Sequence, residues 1–250
     1  VYDLDDAIYL DPAYHVLVSE MMRGAAIIVA GTEYLAAFAR RFSKQVMVIP
    51  TVVDMDLYRP PVGARHAGDD RIIIFWIGMD PNRGDLEPMQ AVFDDLGERY
   101  GAQVVLRIVS SRPLEMQTKV RVEFVPWRLQ SSRRELRKFD IGIMPLPDDE
   151  WNRGKCGFKL IQYMAVAAPA VASPVGVNQE IVQDGRTGYL AGRTEDWCDR
   201  LQRLVDDQAS RVQMGRAGRK RAELRYSVET VLPVLTQVLE RGAMRLLTGA

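Results

Sequence analysis

Cysteine and histidine are nearly absent from these 250 residues, with two of each. Cys156 and Cys198 cannot build a disulfide framework, so a reducing cytoplasm is the default compartment. His15 and His66 stand alone, and neither is a credible metal ligand or general base. Net charge is missing too: 33 Lys and Arg balance 33 Asp and Glu, which removes the field that would recruit nucleic acid. No apolar run approaches the roughly 18 residues of a membrane span, and none reads as the core of a secretory leader. What is there is an ordinary globular composition, 47% apolar and 26% charged. The length suits one large domain or two small ones. The chain starts at Val1, and its first residues read as the middle of something longer.

From residue 71 onward, short β-branched runs alternate with helical patterns. The apolar run 71–78, closed by Gly78, predicts a buried parallel strand. A helix is expected over 85–100 and strands over 104–109 and 122–127. Ser132 and Glu135 have capping-box spacing and open a short basic helix. A strand over 140–146, a helix over 154–168 and strands over 169–174 and 188–191 follow. Two closing helical stretches occupy 194–224, broken near Gly215 and Gly218, and 227–247. This alternation predicts an α/β fold with a doubly wound, Rossmann-like parallel sheet. Residues 1–62 show an apolar start at Val1 and Tyr2, a strand over 26–30, a helix over 33–42 and a strand over 45–50. So few strands make a poor domain alone, and this part reads as the tail of another one. Residues 63–70 read as a linker, 71–226 as a complete domain and 227–250 as a closing helix.

In open α/β sheets ligands bind outside the carboxyl ends of the strands. The loops at 78–84, 110–113, 147–154 and 174–180 qualify and are rich in Gly, Ser, Asn and Arg. On the helix expected from Gly154, Lys155, Lys159 and Gln162 fall at i, i+4 and i+7, a polar stripe on an otherwise apolar element. The stripe faces a cavity or ligand, or else forms a solvated face paired with Asp148, Asp149 or Glu150. Arg153, Lys155 and Lys159 crowd a helix N-terminus, which disfavours cations by roughly 0.3–1 kcal/mol each. A bound diphosphate would turn that repulsion into attraction.

Other residues carry weaker signals. Gly176 permits close backbone approach and Asn178 can cap, although a turn without any ligand fits equally well. Trp127 and Arg128 follow a strand end, where an aromatic ring can stack on a base or simply fill a rim. A helix N-terminus can lower the pKa of Cys156, but with no paired base a small buried side chain is the safer reading. Asp3, Asp5 and Asp6 invite comparison with a divalent-metal motif; no matching cluster accompanies them, and no metal is expected. Basic residues at 211, 216, 219, 220, 221 and 225 suit an anionic membrane surface or, more commonly, a solvated helix face.

Three ordered segments resemble a known family. Phe139-Asp-Ile-Gly-Ile-Met-Pro-Leu146, Trp151-Asn-Arg-Gly-Lys-Cys-Gly-Phe-Lys-Leu-Ile-Gln-Tyr-Met-Ala165 and Pro169-Ala-Val-Ala-Ser-Pro-Val-Gly-Val-Asn178 are similar to the donor-binding domain of GT-B glycosyltransferases. The likeness is greatest to the retaining family 4, or "group 1", type. Glu180-Ile-Val-Gln-Asp-Gly185, Thr187, Gly188, Tyr226 and Ser227 extend it. Val48-Ile-Pro50, Asp54 and Tyr58-Arg-Pro60 resemble the family's interdomain linker.

The resemblance implies a nucleotide-sugar site made by Gly78, Arg83, Trp127, Arg128, Gly154, Lys155, Cys156, Gly157, Phe158, Lys159, Gln162, Gly176, Asn178 and Glu180. Gly157 matches the glycine of the phosphate-binding turn, and Arg83 is the basic residue after the first donor-domain strand. The family's two glutamates, one near the sugar and one on the ribose, fall on Gly154 and Gln162. Gln162 keeps hydrogen bonding to ribose but loses the charge-assisted part, about half the strength. Lys155 and Lys159 are expected to compensate on phosphate.

The implied function is retaining, hexosyl-type transfer from a nucleotide-sugar donor to a glycan, lipid or other acceptor, as in polysaccharide biosynthesis. Catalysis in the family needs no cofactor or metal and is largely electrostatic around the departing diphosphate. No nucleic-acid partner is implied, and peripheral contact would place the protein at the inner membrane surface. The catalytic residues are unassigned, because the acceptor side of the cleft is expected to lie outside this chain, which alone should not turn over. The last helix is expected to cross back to the truncated N-terminal domain. Two other readings stand: a nucleotide-sugar epimerase of GT-B fold, which needs an acid/base pair, and a degenerate binding module, motivated by the missing glutamates.

Overall fold

The computed structural model describes residues 1–61 and 70–248, apart from the side chains at 80, 81, 83, 130, 131 and 245–248. The expected linker over 63–70 therefore falls, but for Asp70, outside the described residues. Two parallel sheets organise the rest. The first has three strands in the order β1 (Tyr2–Leu4), β2 (Ile28–Ala30), β3 (Val46–Val48). Helix α1 (Pro12–Gly24) joins β1 to β2, and α2 (Glu33–Ala39) joins β2 to β3. The sequence reading missed α1, although Asp11 and Pro12 signal it. The Asp11 carboxylate accepts from the Ala13 N–H at 2.9 Å, and Pro12 occupies the first turn, where its lack of an N–H does no harm.

The second sheet follows the expected alternation. Its strands are β4 (Ile72–Ile77), β5 (Val104–Ser110), β6 (Arg121–Pro126), β7 (Ile141–Met144), β8 (Ala170–Ala172) and β9 (Gly188–Leu190). They lie in the order β6-β5-β4-β7-β8-β9, and every described pairing is parallel. Side chains alternate along β4. Ile73, Phe75 and Ile77 join one core, where Phe75 stacks on Phe139 at 4.4 Å, while Ile72, Ile74 and Trp76 join the other.

The helices depart from expectation in several places, each for a physical reason. The stretch Asp80–Met89 is 3-10, and α3 (Gln90–Tyr100) starts only after Pro88, which has no N–H to give an α-helix. Helix α4 (Leu129–Glu135) begins before the expected capping box; Ser132 donates to the Leu129 carbonyl, and Glu135 pairs with Lys138 at 3.2 Å. The helix expected over 154–168 is two, α5 (Glu150–Arg153) and α6 (Phe158–Ala165). Between them Gly157 takes φ 69°, and a Cβ there would lie 2.2 Å from Ile181 Cδ1, so glycine is required.

Helices α7 (Asn178–Ile181), α8 (Thr194–Asp206), α9 (Gln208–Arg225) and α10 (Val228–Thr248) complete the chain. The break between α8 and α9 falls at Asp207, which caps α9 through its carboxylate, and not at the two glycines. Gly215 and Gly218 lie inside α9, where their missing side chains admit the end of α6. A Cβ on Gly215 would stand 2.1 Å from the Ala167 oxygen. Arginines of α9 turn inward to carbonyls: Arg211 to Val205, Arg219 to Tyr58 and Arg221 to Ile181. Val231 and Val238 of α10 pack with Val29 of β2 and with Ile27 and Ile49, which flank β2 and β3. The outgoing and returning chain segments meet side by side, Val53 bridging Ser227. Among the described residues no helix is long and apolar enough to cross a membrane.

Candidate functional site

The six-stranded sheet reverses its direction of growth at β4, with β5 and β6 on one side and β7 to β9 on the other. Parallel strands leave a crevice outside their carboxyl ends at such a point. A cavity of about 820 Å³ occupies it. Its wall is built by Met79, Asn82 and Asp85 after β4, Met144 at the end of β7, Trp151 and Asn152 of α5, and residues 155–159 leading into α6. Asp5, Asp6, Thr51 and Val52, from beyond β1 and β3, close the other side. The cavity therefore lies between the two sheets.

Lys155 stands in the turn before α6 and not on the helix, so the three-residue stripe is broken. Lys155 and Lys159 nonetheless both line the cavity. Lys155 Nζ donates to Asn82 Oδ1. Lys159 Nζ is buried with no hydrogen-bond partner and lies 4.6 Å from the centroid of the Trp76 ring. Burial pulls its pKa down to about 8, with Asp85 opposing and Lys155 reinforcing the shift. Asp85 is 8% exposed, and its Oδ2 is also without a partner. Burial raises its pKa, and the two lysines pull the other way. The sequence reading missed Asp85, because one acid in a polar loop carries no pattern of its own.

Cys156 lines the cavity, but its thiol is not activated. Burial pushes its pKa up to about 12, and Sγ donates to the Asp5 carbonyl at 2.9 Å. Gly157 and Phe158 complete the cluster that the structure gathers with the two lysines. Arg153 turns away to an ion pair with Asp148 at 2.7 Å.

The other expected residues whose side chains are described stand outside the cavity wall. A Cβ on Gly154 would lie 2.5 Å from Ala7 Cβ, so the first sheet's unit fills the place of any side chain there. Gln162 is buried, and its amide donates to the Tyr58 hydroxyl at 3.0 Å. Gly78 makes room for the Trp76 ring, and Gly176, at φ 51°, lies against the Arg153 backbone. Asn178 does not cap; from the first turn of α7 its amide donates to the Ser173 carbonyl at 3.1 Å. Glu180 is exposed and offers its carbonyl to Arg221. Trp127 is exposed beyond β6, the edge strand, and Arg128 precedes α4. The side chain of Arg83 lies outside the described residues. Among the described residues no group of three or more His, Cys, Asp or Glu is placed to hold a metal ion.

Comparison with known proteins agrees with this architecture. A D-inositol 3-phosphate glycosyltransferase of an Arthrobacter species is 35% identical over 89 residues, which are 35% of this chain and 20% of that protein. The Corynebacterium aurimucosum protein of that name is 27% identical over 127 residues, 50% of this chain and 25% of its own. The chain thus spans a fifth to a quarter of these curated relatives. Among solved structures, sucrose-phosphate synthase from Thermosynechococcus elongatus superposes with a TM-score of 0.74 at 19% identity, covering 96% of this chain and 63% of that one. Anabaena HepE in complex with UDP and glucose gives 0.74 at 18%, covering 96% and 70%. Both share the GT-B fold. The family model described as glycosyl transferases group 1 matches residues 71–207, more than half of the chain. The protein belongs to the glycosyl transferases group 1 family and has its GT-B fold.

Proposed function

We propose that this chain carries the donor site of a glycosyltransferase that takes a sugar from a nucleotide-sugar and transfers it, with retention, to a glycan, lipid or other acceptor. One observation carries the reading: the buried ammonium of Lys159, which has the Trp76 ring beside it but no hydrogen-bond acceptor, shares the crevice of the parallel sheet with Lys155. A buried cation without a partner is costly, and an anionic ligand offsets that cost. The diphosphate belongs against Gly157, where the first N–H groups of α6 lack helical partners. The ammonium groups then meet the charge that develops as the diphosphate departs, and no metal is invoked. The Anabaena neighbour bound to UDP and glucose, and to UDP-glucose, supports a donor of this chemistry. In the same reading the six-stranded sheet is the donor domain, and the first sheet, with Asp5 and Asp6 on the cavity wall, faces the acceptor.

Titration calorimetry with UDP and GDP tests the proposal. Folded protein that binds neither nucleotide contradicts it. Lys155→Ala should weaken diphosphate binding by about 1.5–3 kcal/mol, the worth of a charged hydrogen bond. The parent nucleoside should hardly change, and equal weakening of both would remove the phosphate role. Donor hydrolysis, assayed with UDP-glucose and GDP-mannose, separates an enzyme from a binding module.

A further inference from the structure

The cavity holds a buried acid that a diphosphate site does not require. Asp85 is 8% exposed, its Oδ2 has no hydrogen-bond partner, and it shares a wall with Lys155 and Lys159. A carboxylate desolvated in this way is costly unless a donor completes it. The neighbouring cations do not complete it, since Lys155 donates to Asn82 and Lys159 Nζ has no partner. Nor can an acid face the diphosphate those lysines would hold, because like charges repel strongly in a dry site. Asp85 is therefore suited to a neutral, proton-donating part of the ligand.

A nucleotide-sugar has two such parts, the ribose and the transferred sugar. The lining of the cavity decides between them. Asp5, Asp6, Thr51 and Val52 of the first sheet's unit share it with Asp85, whereas Trp127 and Gln162, the residues read from sequence for base and ribose, do not line it. Asp85 therefore shares its cavity with the unit that faces the acceptor in the donor reading, the side on which the transferred sugar is handed over. Gly154, where the family resemblance places a sugar-side acid, has no room for a side chain beside Ala7.

We propose that Asp85 accepts a hydrogen bond from a hydroxyl of the transferred sugar and is a specificity-determining residue of the donor site. The proposal rests on the donor reading above. An ionised carboxylate binds a hydroxyl through a charge-assisted hydrogen bond, and a site built around such a bond rejects ligands that lack the hydroxyl.

The test is calorimetry on the wild type, Asp85→Asn and Asp85→Ala with UDP, GDP, UDP-glucose, UDP-galactose, UDP-N-acetylglucosamine and GDP-mannose. The sugar conjugates that bind the wild type should lose tenfold or more in Asp85→Ala and a smaller part of that in Asp85→Asn, which keeps a neutral acceptor, while the parent diphosphate stays within threefold or tightens. A second arm uses deoxyfluoro forms of the best conjugate. In the wild type, replacing one hydroxyl should cost at least tenfold, and the same replacement should cost nothing further in Asp85→Ala, which has no acceptor left. Equal losses for diphosphate and conjugate overturn the proposal, as does an unchanged conjugate or the absence of any coupled hydroxyl. Binding of a diphosphate but of no conjugate also overturns it, since the cavity then admits no sugar. A wild type that binds no nucleotide at all removes the donor reading itself; every other negative result removes only the role of Asp85.

Discussion

At the residue scale, Lys159 shows how a buried lysine differs from an exposed one with the same side chain. Its ammonium is buried without a hydrogen-bond acceptor, and its pKa falls from 10.5 to about 8. Between those two values the unfolded chain holds a proton that the folded chain has released, so stability rises with pH across that window. Below about pH 8 the fold carries the whole cost of the buried cation. Lys159→Met should therefore raise Tm at neutral pH and abolish the wild type's extra gain in stability between about pH 8 and 10.5. Denaturant titrations at several pH values read this directly, and a lower Tm for the variant at pH 7 would contradict it. Affinity for UDP should also weaken above about pH 8, by up to about tenfold per unit, as the ammonium loses its proton. Lys155 and Lys159, which line the cavity, stood out in the sequence by their spacing in an apolar segment, and Gly157 by the family resemblance. Asp85 was not, because what marks it is the lack of partners, a property of three-dimensional packing.

At the scale of elements, the strands were the most legible part. Runs such as Ile72–Ile77 are apolar on both faces, as only a doubly covered strand is. Helix boundaries were read less well, because glycine carries two meanings that sequence does not separate. Gly157 ends one helical path and starts another, whereas Gly215 and Gly218 lie within an unbroken helix to let a neighbour approach. Gly215→Ala should destabilise by about 1–3 kcal/mol, since the new methyl meets the rigid Ala167 carbonyl. Gly24→Ala, with nothing within 4 Å of its new methyl, should be neutral or slightly stabilising. Chemical denaturation of the pair separates the two meanings, and equal effects would refute the packing explanation.

At the scale of the molecule, neutrality of charge concealed a local arrangement in which two lysines and a buried acid share one cavity. No composition measure could reveal it, because the cavity draws on residues more than a hundred positions apart in the chain, such as Asp5 and Lys159. The return of α10 likewise depends on contacts across the whole chain. Val238 is 1% exposed against the first sheet's core, so Val238→Ala should cost about 1.5–3 kcal/mol. The loss should appear as faster hydrogen exchange in β2 rather than in β4, and uniform acceleration would count against it.

That return has a further consequence for how the protein is made. A ribosome delivers the chain in order, yet the core of the three-stranded sheet needs Val231 and Val238. The six-stranded sheet and its helices are complete once Tyr226 has emerged. The three-stranded sheet is thus made well before the helix that covers it, and until α10 has emerged Ile27, Val29 and Ile49 lack the cover of Val231 and Val238.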